Sequence, residues 1–123
     1  MLRQATLKDK KEIKEISNFL YLKIPGFVWN NEKFITKQIE KGEYFVIENG
    51  GQIAGIMSLR QRKNGMHIET LAVKKKFQSR GFGTQFIDFA KKVSKEKGNR
   101  MLFAYSFVEY NIADFYLKRG FKL

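Results

Sequence analysis

The chain has 123 residues, of which 24 are Lys or Arg and 12 are Asp or Glu, giving a formal net charge of +12. This length is typical of one globular domain, and the 15% of aromatic residues excludes an intrinsically disordered chain. The lack of cysteine excludes a disulfide scaffold and a thiol nucleophile, and with a single histidine we expect no metal site. No apolar run approaches a membrane span, and the first residues lack the apolar core of a secretion signal. We therefore expect one cytoplasmic domain over residues 1–123, without a membrane partner.

The first half of the chain predicts a strand, two helices and a hairpin. A short strand fits residues 2–5, and Thr6, three residues before an aspartate, has the spacing of a helix capping box. Apolar residues then recur at helical spacing in two segments: Ile13, Ile16 and Leu20, followed by Phe34, Ile35 and Ile39. Strands over 44–48 and 52–59 are joined by Asn49-Gly50-Gly51, which is a strong hairpin signal.

The second half alternates strands with helices. In chain order the pattern predicts a strand over 66–73, a helix over 81–98, a strand over 101–107 and a short helix over 112–119. The strand at 101–107 is almost entirely apolar, as is typical of a strand buried on both faces. Phe121 begins a last extended segment. The order β-α-α-β-β-β-α-β-α-β predicts an α/β (or α+β) domain with one central sheet and about four flanking helices.

The junction between the strand at 66–73 and the next helix carries paired glycines in a basic loop. Three lysines come first, and the loop then reads Gln78-Ser79-Arg80-Gly81-Phe82-Gly83-Thr84. Free N–H groups at a helix start bind anions, and glycine lets a phosphate come close to them. The loop therefore predicts a pyrophosphate site, although its spacing alone equally fits a helix end packed tightly against a strand. It matches neither the dinucleotide fingerprint, whose third glycine is replaced by Phe86, nor the P-loop, which needs a lysine after its last glycine.

A second motif follows about 28 residues after the paired glycines. It reads Asn111-Ile112-Ala113-Asp114-Phe115-Tyr116 and is followed by Gly120-Phe121. By itself it fits a capped amphipathic helix in which Tyr116 is a core phenol. In this order and spacing the two motifs together resemble the GNAT superfamily of acyl-CoA-dependent N-acetyltransferases, over residues 66–121. The resemblance implies a GNAT-like sheet splayed at a bulge, and transfer of an acetyl group from acetyl-CoA to a primary amine by direct attack in a ternary complex.

The resemblance implies which residues hold acetyl-CoA. Backbone amides of the loop bind its pyrophosphate, and the strand that carries Leu71 pairs with the pantetheine arm. A backbone N–H near Leu71, at a local bulge, polarises the thioester carbonyl, as oxyanion-hole donors do. The implied cofactor site comprises strand, loop and last-helix residues: Leu71, Ala72, Val73, Gln78, Ser79, Arg80, Gly81, Phe82, Gly83, Thr84, Asn111, Phe115 and Tyr116.

The resemblance also implies catalytic roles. Tyr116 matches the tyrosine that protonates the departing CoA thiolate, and Leu71 supplies the N–H described above. His67 and Glu69 lie two apart on one strand, so alternation places them on one face. Either accepts the proton of the attacking amine, with Glu69 preferred, or both act in a relay through water. The plainer alternative is a Glu69 that faces solvent and pairs with His67.

The acceptor and the partners stay open. The family builds its acceptor site mainly from the first two helices and their loop, here residues 18–30, which are aromatic and almost without acidic groups. This disfavours a polyamine and leaves a protein N-terminus, a lysine side chain or a small amine. The family's further strand after Gly120-Phe121 has no counterpart in this sequence: either the sequence is a shortened one, or the missing strand leaves an open sheet edge, from which we expect a homodimer.

Two other functions fit the sequence. One is a non-catalytic module that binds and senses an acyl-CoA. The other, based on the net charge, is a nucleic-acid-associated protein that uses seven lysines: Lys74, Lys75, Lys76, Lys91, Lys92, Lys95 and Lys97. The presence of Tyr116 favours an enzyme over the first. Lysines on the outer face of a helix are ordinarily just solvated, which disfavours the second.

Overall fold

The computed structural model describes residues 1–104 and 113–122. Its strands are β1 (Leu2–Gln4), β2 (Tyr44–Asn49), β3 (Gln52–Arg62), β4 (Gly65–Val73) and β5 (Leu102–Ala104). Its α-helices are α1 (Lys10–Asn18), α2 (Glu32–Glu40), α3 (Phe82–Glu96) and α4 (Ala113–Leu117), and 3₁₀ turns lie at Leu7–Asp9 and Lys75–Phe77. The α/β fold predicted from the sequence is confirmed. Within the described ranges, no helix is long and apolar enough to cross a bilayer.

One mixed sheet organises the molecule, in the order β1-β2-β3-β4-β5. Neighbouring strands are antiparallel except β4 and β5, which run parallel with α3 as the crossover between them. The β2–β3 hairpin turns at Gly50 and Gly51, whose φ angles of 61° and 78° are both positive, as a type I′ turn requires. The hairpin predicted at this position is therefore confirmed.

Two cores, one on each face of the sheet, hold the helices in place. On one face α1 and α2 pack on β2 and β3 through buried apolar residues: Ile13, Ile16, Ile35, Ile39, Val46, Ile53 and Ile56. On the other face α3 packs on β3 and β4 through a second set: Met57, Leu59, Met66, Ile68, Phe86, Ile87 and Ala90. Tyr116 of α4 belongs to this second core. The sheet is thus covered on both faces. Its strand β4 carries three of the candidate catalytic residues, His67, Glu69 and Leu71.

A β-bulge interrupts the middle of β4. Ser58 of β3 pairs with Thr70, while the next residue, Leu59, pairs with Ile68. Glu69 is therefore an extra residue on β4 with no partner across the β3–β4 ladder. At Glu69 the alternation of β4 side chains between the two faces of the sheet therefore shifts by one residue.

The bulge changes two expectations from the sequence. The family resemblance implies a bulge near Leu71, and the structure has it two residues earlier, at Glu69. Simple alternation predicts His67 and Glu69 on one face, but an extra residue breaks the period of two. Ile68 and Leu71, although three positions apart, consequently both pack on the α3-side core. The position of the Glu69 side chain must therefore be read from its contacts, since the alternation of side chains along β4 does not predict it.

Three predicted elements differ from the structure. The first helix is preceded by a 3₁₀ turn and ends at Asn18, which leaves Leu20 outside it. The residues of β5 are half-buried, not buried on both faces, because β5 is the edge strand of the sheet in the part of the chain that the structure describes. Phe121 and Lys122 form no strand. The rest of the predicted strand, residues 105–107, lies outside the described residues, and so does position 123.

Candidate active site

A gap opens beside the second half of β4. β5 pairs with β4 only at Met66, His67 and Ile68, and no other described segment pairs with this side of β4 farther along. The strand that continues past the bulge ends in three half-buried residues, Leu71, Ala72 and Val73. An unpaired strand edge is a template for an extended, amide-containing chain. The resemblance assigns the pantetheine arm to this edge.

The loop between β4 and α3 turns through two left-handed residues. Ser79 has a φ of 64°, and Gly81, the N-cap of α3, has a φ of 85°. Gln78 Nε2 donates to the carbonyl of Val73 at 3.0 Å, which fastens the loop to the end of β4. An added Cβ at Gly81 would meet no atom within 4 Å. Gly81 is therefore required by its backbone angle, and the space around it is open to an incoming anion.

Gly83 serves a different purpose from Gly81. A Cβ at Gly83 would lie 2.8 Å from Cζ of Phe115, a residue of α4. In the sequence, both glycines are predicted to allow the close approach of a phosphate. For Gly83 the structure gives another reason, because the missing side chain lets α4 pack against the first turn of α3.

Basic side chains surround the loop. Lys76 Nζ and the guanidinium of Arg80 lie 5.3 and 5.4 Å from the centre of the buried Phe77 ring. Cation–π contacts of this kind hold both cations near the loop. The first turn of α3, a helix that the structure describes throughout, contains no acidic residue. Free N–H groups, an open approach and nearby cations together fit a phosphate group.

Tyr116 lies on α4, the short helix beside this loop. It is 6% exposed, and its ring packs edge-on against Phe115 and Phe121 at centroid distances of 5.5 and 5.3 Å. Burial raises the pKa of Tyr116 to about 12, so the phenol stays protonated at neutral pH. A general acid must carry its proton at the working pH, and Tyr116 meets this requirement. Asn111, which the sequence places just before this helix, lies outside the described residues.

Arg119 joins α4 to the first turn of α3. Its Nε donates to Thr84 Oγ1 at 3.0 Å, and its Nη1 donates to the carbonyl of Phe115 at 2.7 Å. The guanidinium also lies 3.7 Å from the centre of the Phe115 ring. Sequence reasoning misses Arg119 because neither motif includes it. The one available signal is its spacing of four residues from Phe115, which places both on one side of the helix that the sequence predicts over 112–119.

The carboxylate of Glu69 is buried at the bulge and has two partners. The side chain is 3% exposed. Arg62 Nη2 lies 2.7 Å from Oε1, and Trp29 Nε1 donates to Oε2 at 3.1 Å. The alternative in which Glu69 faces solvent is therefore wrong. The sequence does not reveal these partners, because Trp29 lies 40 positions away and the Arg62 contact depends on the bulge.

His67 is buried as well, two residues before the bulge. Its Nε2 lies 2.8 Å from Asn64 Oδ1, and its ring stacks on Phe103 of β5 at a centroid distance of 4.6 Å. Burial and the nearby Arg62 lower the pKa of His67, while Glu69 acts in the opposite direction. His67 is therefore neutral at pH 7. An amide oxygen accepts hydrogen bonds, so the contact with Asn64 places the imidazole proton on Nε2.

Three aromatic rings of the α1–α2 loop lead from the surface to Glu69. Tyr21 and Phe27 pack edge-on with centroids 5.4 Å apart, and Phe27 and Trp29 do so at 5.0 Å. Tyr21 is more than half exposed, whereas Trp29 is half-buried and reaches the carboxylate of Glu69. The predicted acceptor segment, residues 18–30, thus contacts the bulge through Trp29.

Comparison of the chain with known protein families identifies one of them. The acetyltransferase (GNAT) domain family matches residues 40–123. No curated sequence is similar enough to this chain to count as a match.

Several solved structures share the fold. Rv2747 from Mycobacterium tuberculosis, in complex with CoA, is 21% identical, with a TM-score of 0.84 over 99% of this chain and 71% of its own. PaiA N-acetyltransferase from Thermoplasma acidophilum, in complex with coenzyme A, is 17% identical, with a TM-score of 0.83 over 100% of this chain and 89% of its own. N-acetylglutamate synthase from Neisseria gonorrhoeae is 22% identical, with a TM-score of 0.80 over 99% of this chain and 28% of its own. With the family match over most of its length, the chain belongs to the GNAT acetyltransferase family and is an acyltransferase domain.

Proposed function

We propose that the domain transfers an acetyl group from acetyl-CoA to a primary amine by direct attack in a ternary complex. The observation that carries this proposal is the gap beside β4, with the Glu69 carboxylate at its bulge and the basic loop before α3 at its far end. Tyr116 packs in the same core as Leu71, which lies on β4 beside the gap, and Phe82, which lies in the first turn of α3. These observations support Glu69 as the proton acceptor, the edge of β4 as the partner of the pantetheine arm and Tyr116 as the proton donor.

Different residues of the chain bind different parts of acetyl-CoA. The first turn of α3, with Lys76 and Arg80 beside it, holds the pyrophosphate through backbone N–H groups and positive charge. The edge of β4 pairs with the pantetheine arm. The N–H of Leu71 donates to the carbonyl oxygen of the thioester and stabilises the negative charge that develops there, as in other acyl-transfer sites.

Two proton transfers complete the reaction. The attacking amine must lose a proton, and Glu69 accepts it directly or through water together with the neutral His67. The departing thiolate must gain a proton, and Tyr116 donates it. The bond that forms joins the amine nitrogen to the acetyl carbon, and the bond that breaks is the carbon–sulfur bond of the thioester.

Calorimetric titration with acetyl-CoA tests the cofactor part of this proposal. We expect binding in the micromolar range, and much weaker binding of S-acetylpantetheine, which lacks the pyrophosphate that the loop holds. Amine acceptors are then screened by the release of free thiol. If millimolar acetyl-CoA produces neither heat nor a thermal shift, the domain does not bind the proposed co-substrate and the proposal is wrong.

Arg119 is expected to position Tyr116 and the loop relative to each other. In Arg119→Met both hydrogen bonds of the guanidinium are lost, while the side chain still covers Phe115. We expect the KM for acetyl-CoA to rise about tenfold, with a Tm only a few degrees lower. Steady-state kinetics and thermal denaturation measure the two effects. Lys92→Met, at an exposed position of α3, is the matched control, and equal kinetic effects in both variants would contradict this role.

A further inference from the structure

A groove between α1 and α2 bears on the identity of the acceptor, and the inference drawn from it rests on the proposed function. The groove has a volume of about 870 Å³, and its lining includes Lys14 of α1, Lys33 and Lys37 of α2, and Phe27 of the loop between them. All three lysines are exposed. We infer that this groove binds the acidic segment of a peptide whose amino terminus is the acetyl acceptor.

The groove carries an excess of positive charge. Its one acidic lining residue, Glu32, is already paired with Lys10 at 3.1 Å. Lys10 and Lys14 both lower the pKa of the Glu32 carboxyl. The groove lining therefore carries three positive charges and one negative charge, and the negative charge is already neutralised by Lys10. An acidic ligand complements this charge, whereas a basic one is repelled.

The backbone N–H groups at the start of α2 are not the groups that attract an acidic segment. Asn31 caps α2, and its Oδ1 accepts hydrogen bonds from the backbone N–H groups of Lys33 and Phe34 at 2.9 and 3.3 Å. These backbone donors are thus already used inside the protein. The attraction to an acidic segment comes from the lysine side chains.

Side-chain contacts link the groove to the bulge on β4. Phe27 lines the groove and packs against Trp29, and Trp29 donates to the carboxylate of Glu69. A ligand with its amine at Glu69 therefore passes two aromatic rings before it reaches the lysines. This separation requires an extended chain, and the groove volume lies near the upper end of the range for small-molecule sites. A peptide fits these dimensions better than a compact acidic amine.

The chemistry of the amine favours an amino terminus over a lysine side chain. The attacking nitrogen must be unprotonated. An α-amino group, with a pKa near 8, loses its proton far more readily at neutral pH than a lysine ammonium, with a pKa near 10.4. The acidic residues that follow such a terminus then reach the groove, where each exposed ion pair contributes only a small factor to binding.

The first test compares two peptides as acetyl acceptors. One carries a free amino terminus followed by several Asp and Glu residues, and the other has Asn and Gln in their place. In the triple variant Lys14→Gln, Lys33→Gln and Lys37→Gln, we expect the KM for the acidic peptide to rise about tenfold with kcat unchanged. The neutral peptide should be unaffected. A matched triple variant at the end of α3, with Lys92→Gln and Lys95→Gln in the helix and Lys97→Gln at its C-cap, should leave both peptides unaffected.

A binding measurement separates this inference from the proposed function. Fluorescence anisotropy of the N-acetylated acidic peptide, titrated with the protein in the presence of CoA, needs no turnover. We expect the groove variant to weaken binding about tenfold and the α3 variant to leave it unchanged. If the groove variant binds as the wild type does, or if both peptides are acetylated equally well, the inference is overturned while the acetyltransferase proposal stands. If acetyl-CoA itself does not bind, the proposed function fails instead.

Discussion

Replacing Tyr116 by phenylalanine is expected to lower the kcat of acetyl transfer about a hundredfold or more while the affinity for acetyl-CoA stays within about twofold. The aromatic ring remains, so the packing against Phe115 and Phe121 is kept and only the hydroxyl is lost. Free-thiol release measures the rate, and calorimetry measures the affinity. Because burial raises the pKa of Tyr116 to about 12, we also expect no loss of wild-type rate from this phenol up to about pH 10.

Tyr44→Phe is the matched control for this experiment. Tyr44 is buried, as Tyr116 is, but it lies in the core on the α1–α2 side of the sheet. We expect this variant to transfer acetyl groups at close to the wild-type rate. Equal losses in the two variants would show a general effect of removing a buried hydroxyl. A Tyr116→Phe enzyme as fast as the wild type would remove Tyr116 from the role of proton donor.

The fold is largely predictable from the sequence because its signals are local. Asn49-Gly50-Gly51 predicts the hairpin, since consecutive positive φ angles are adopted most readily by Gly and Asn. Phe86, Ile87 and Ala90 predict the buried face of α3 through the helical period, and all three are buried. Each of these signals lies within a few residues of the element that it predicts.

The environment of the candidate site is less predictable, because it depends on contacts between distant positions. Trp29 and Glu69 lie 40 positions apart, and Arg119 and Thr84 lie 35 apart, so no local pattern links either pair. The bulge at Glu69 is a further case. It results from the pairing of two whole strands, and a period of two read along β4 alone cannot reveal one extra residue.

The position of Glu69 at this bulge gives the second large expected effect. In Glu69→Gln the side chain keeps its size and an oxygen that accepts from Trp29, but it can no longer take up the proton of the amine. We expect kcat to fall about a hundredfold, with the KM for acetyl-CoA nearly unchanged, because the substitution does not touch the loop that we propose to hold the pyrophosphate. Steady-state kinetics with a saturating amine acceptor measure both constants.

Arg62→Gln distinguishes a proton acceptor from a merely structural ion pair. It removes the cation 2.7 Å from Glu69 Oε1 but leaves the carboxylate and its contact with Trp29. Because Arg62 is partly exposed, water can replace the guanidinium. If Glu69 accepts the proton, Arg62→Gln retains most of the activity that Glu69→Gln loses. If both variants lose activity and thermal stability to the same degree, the pair holds the bulge in shape, and the base must be sought at His67 or in a bound water.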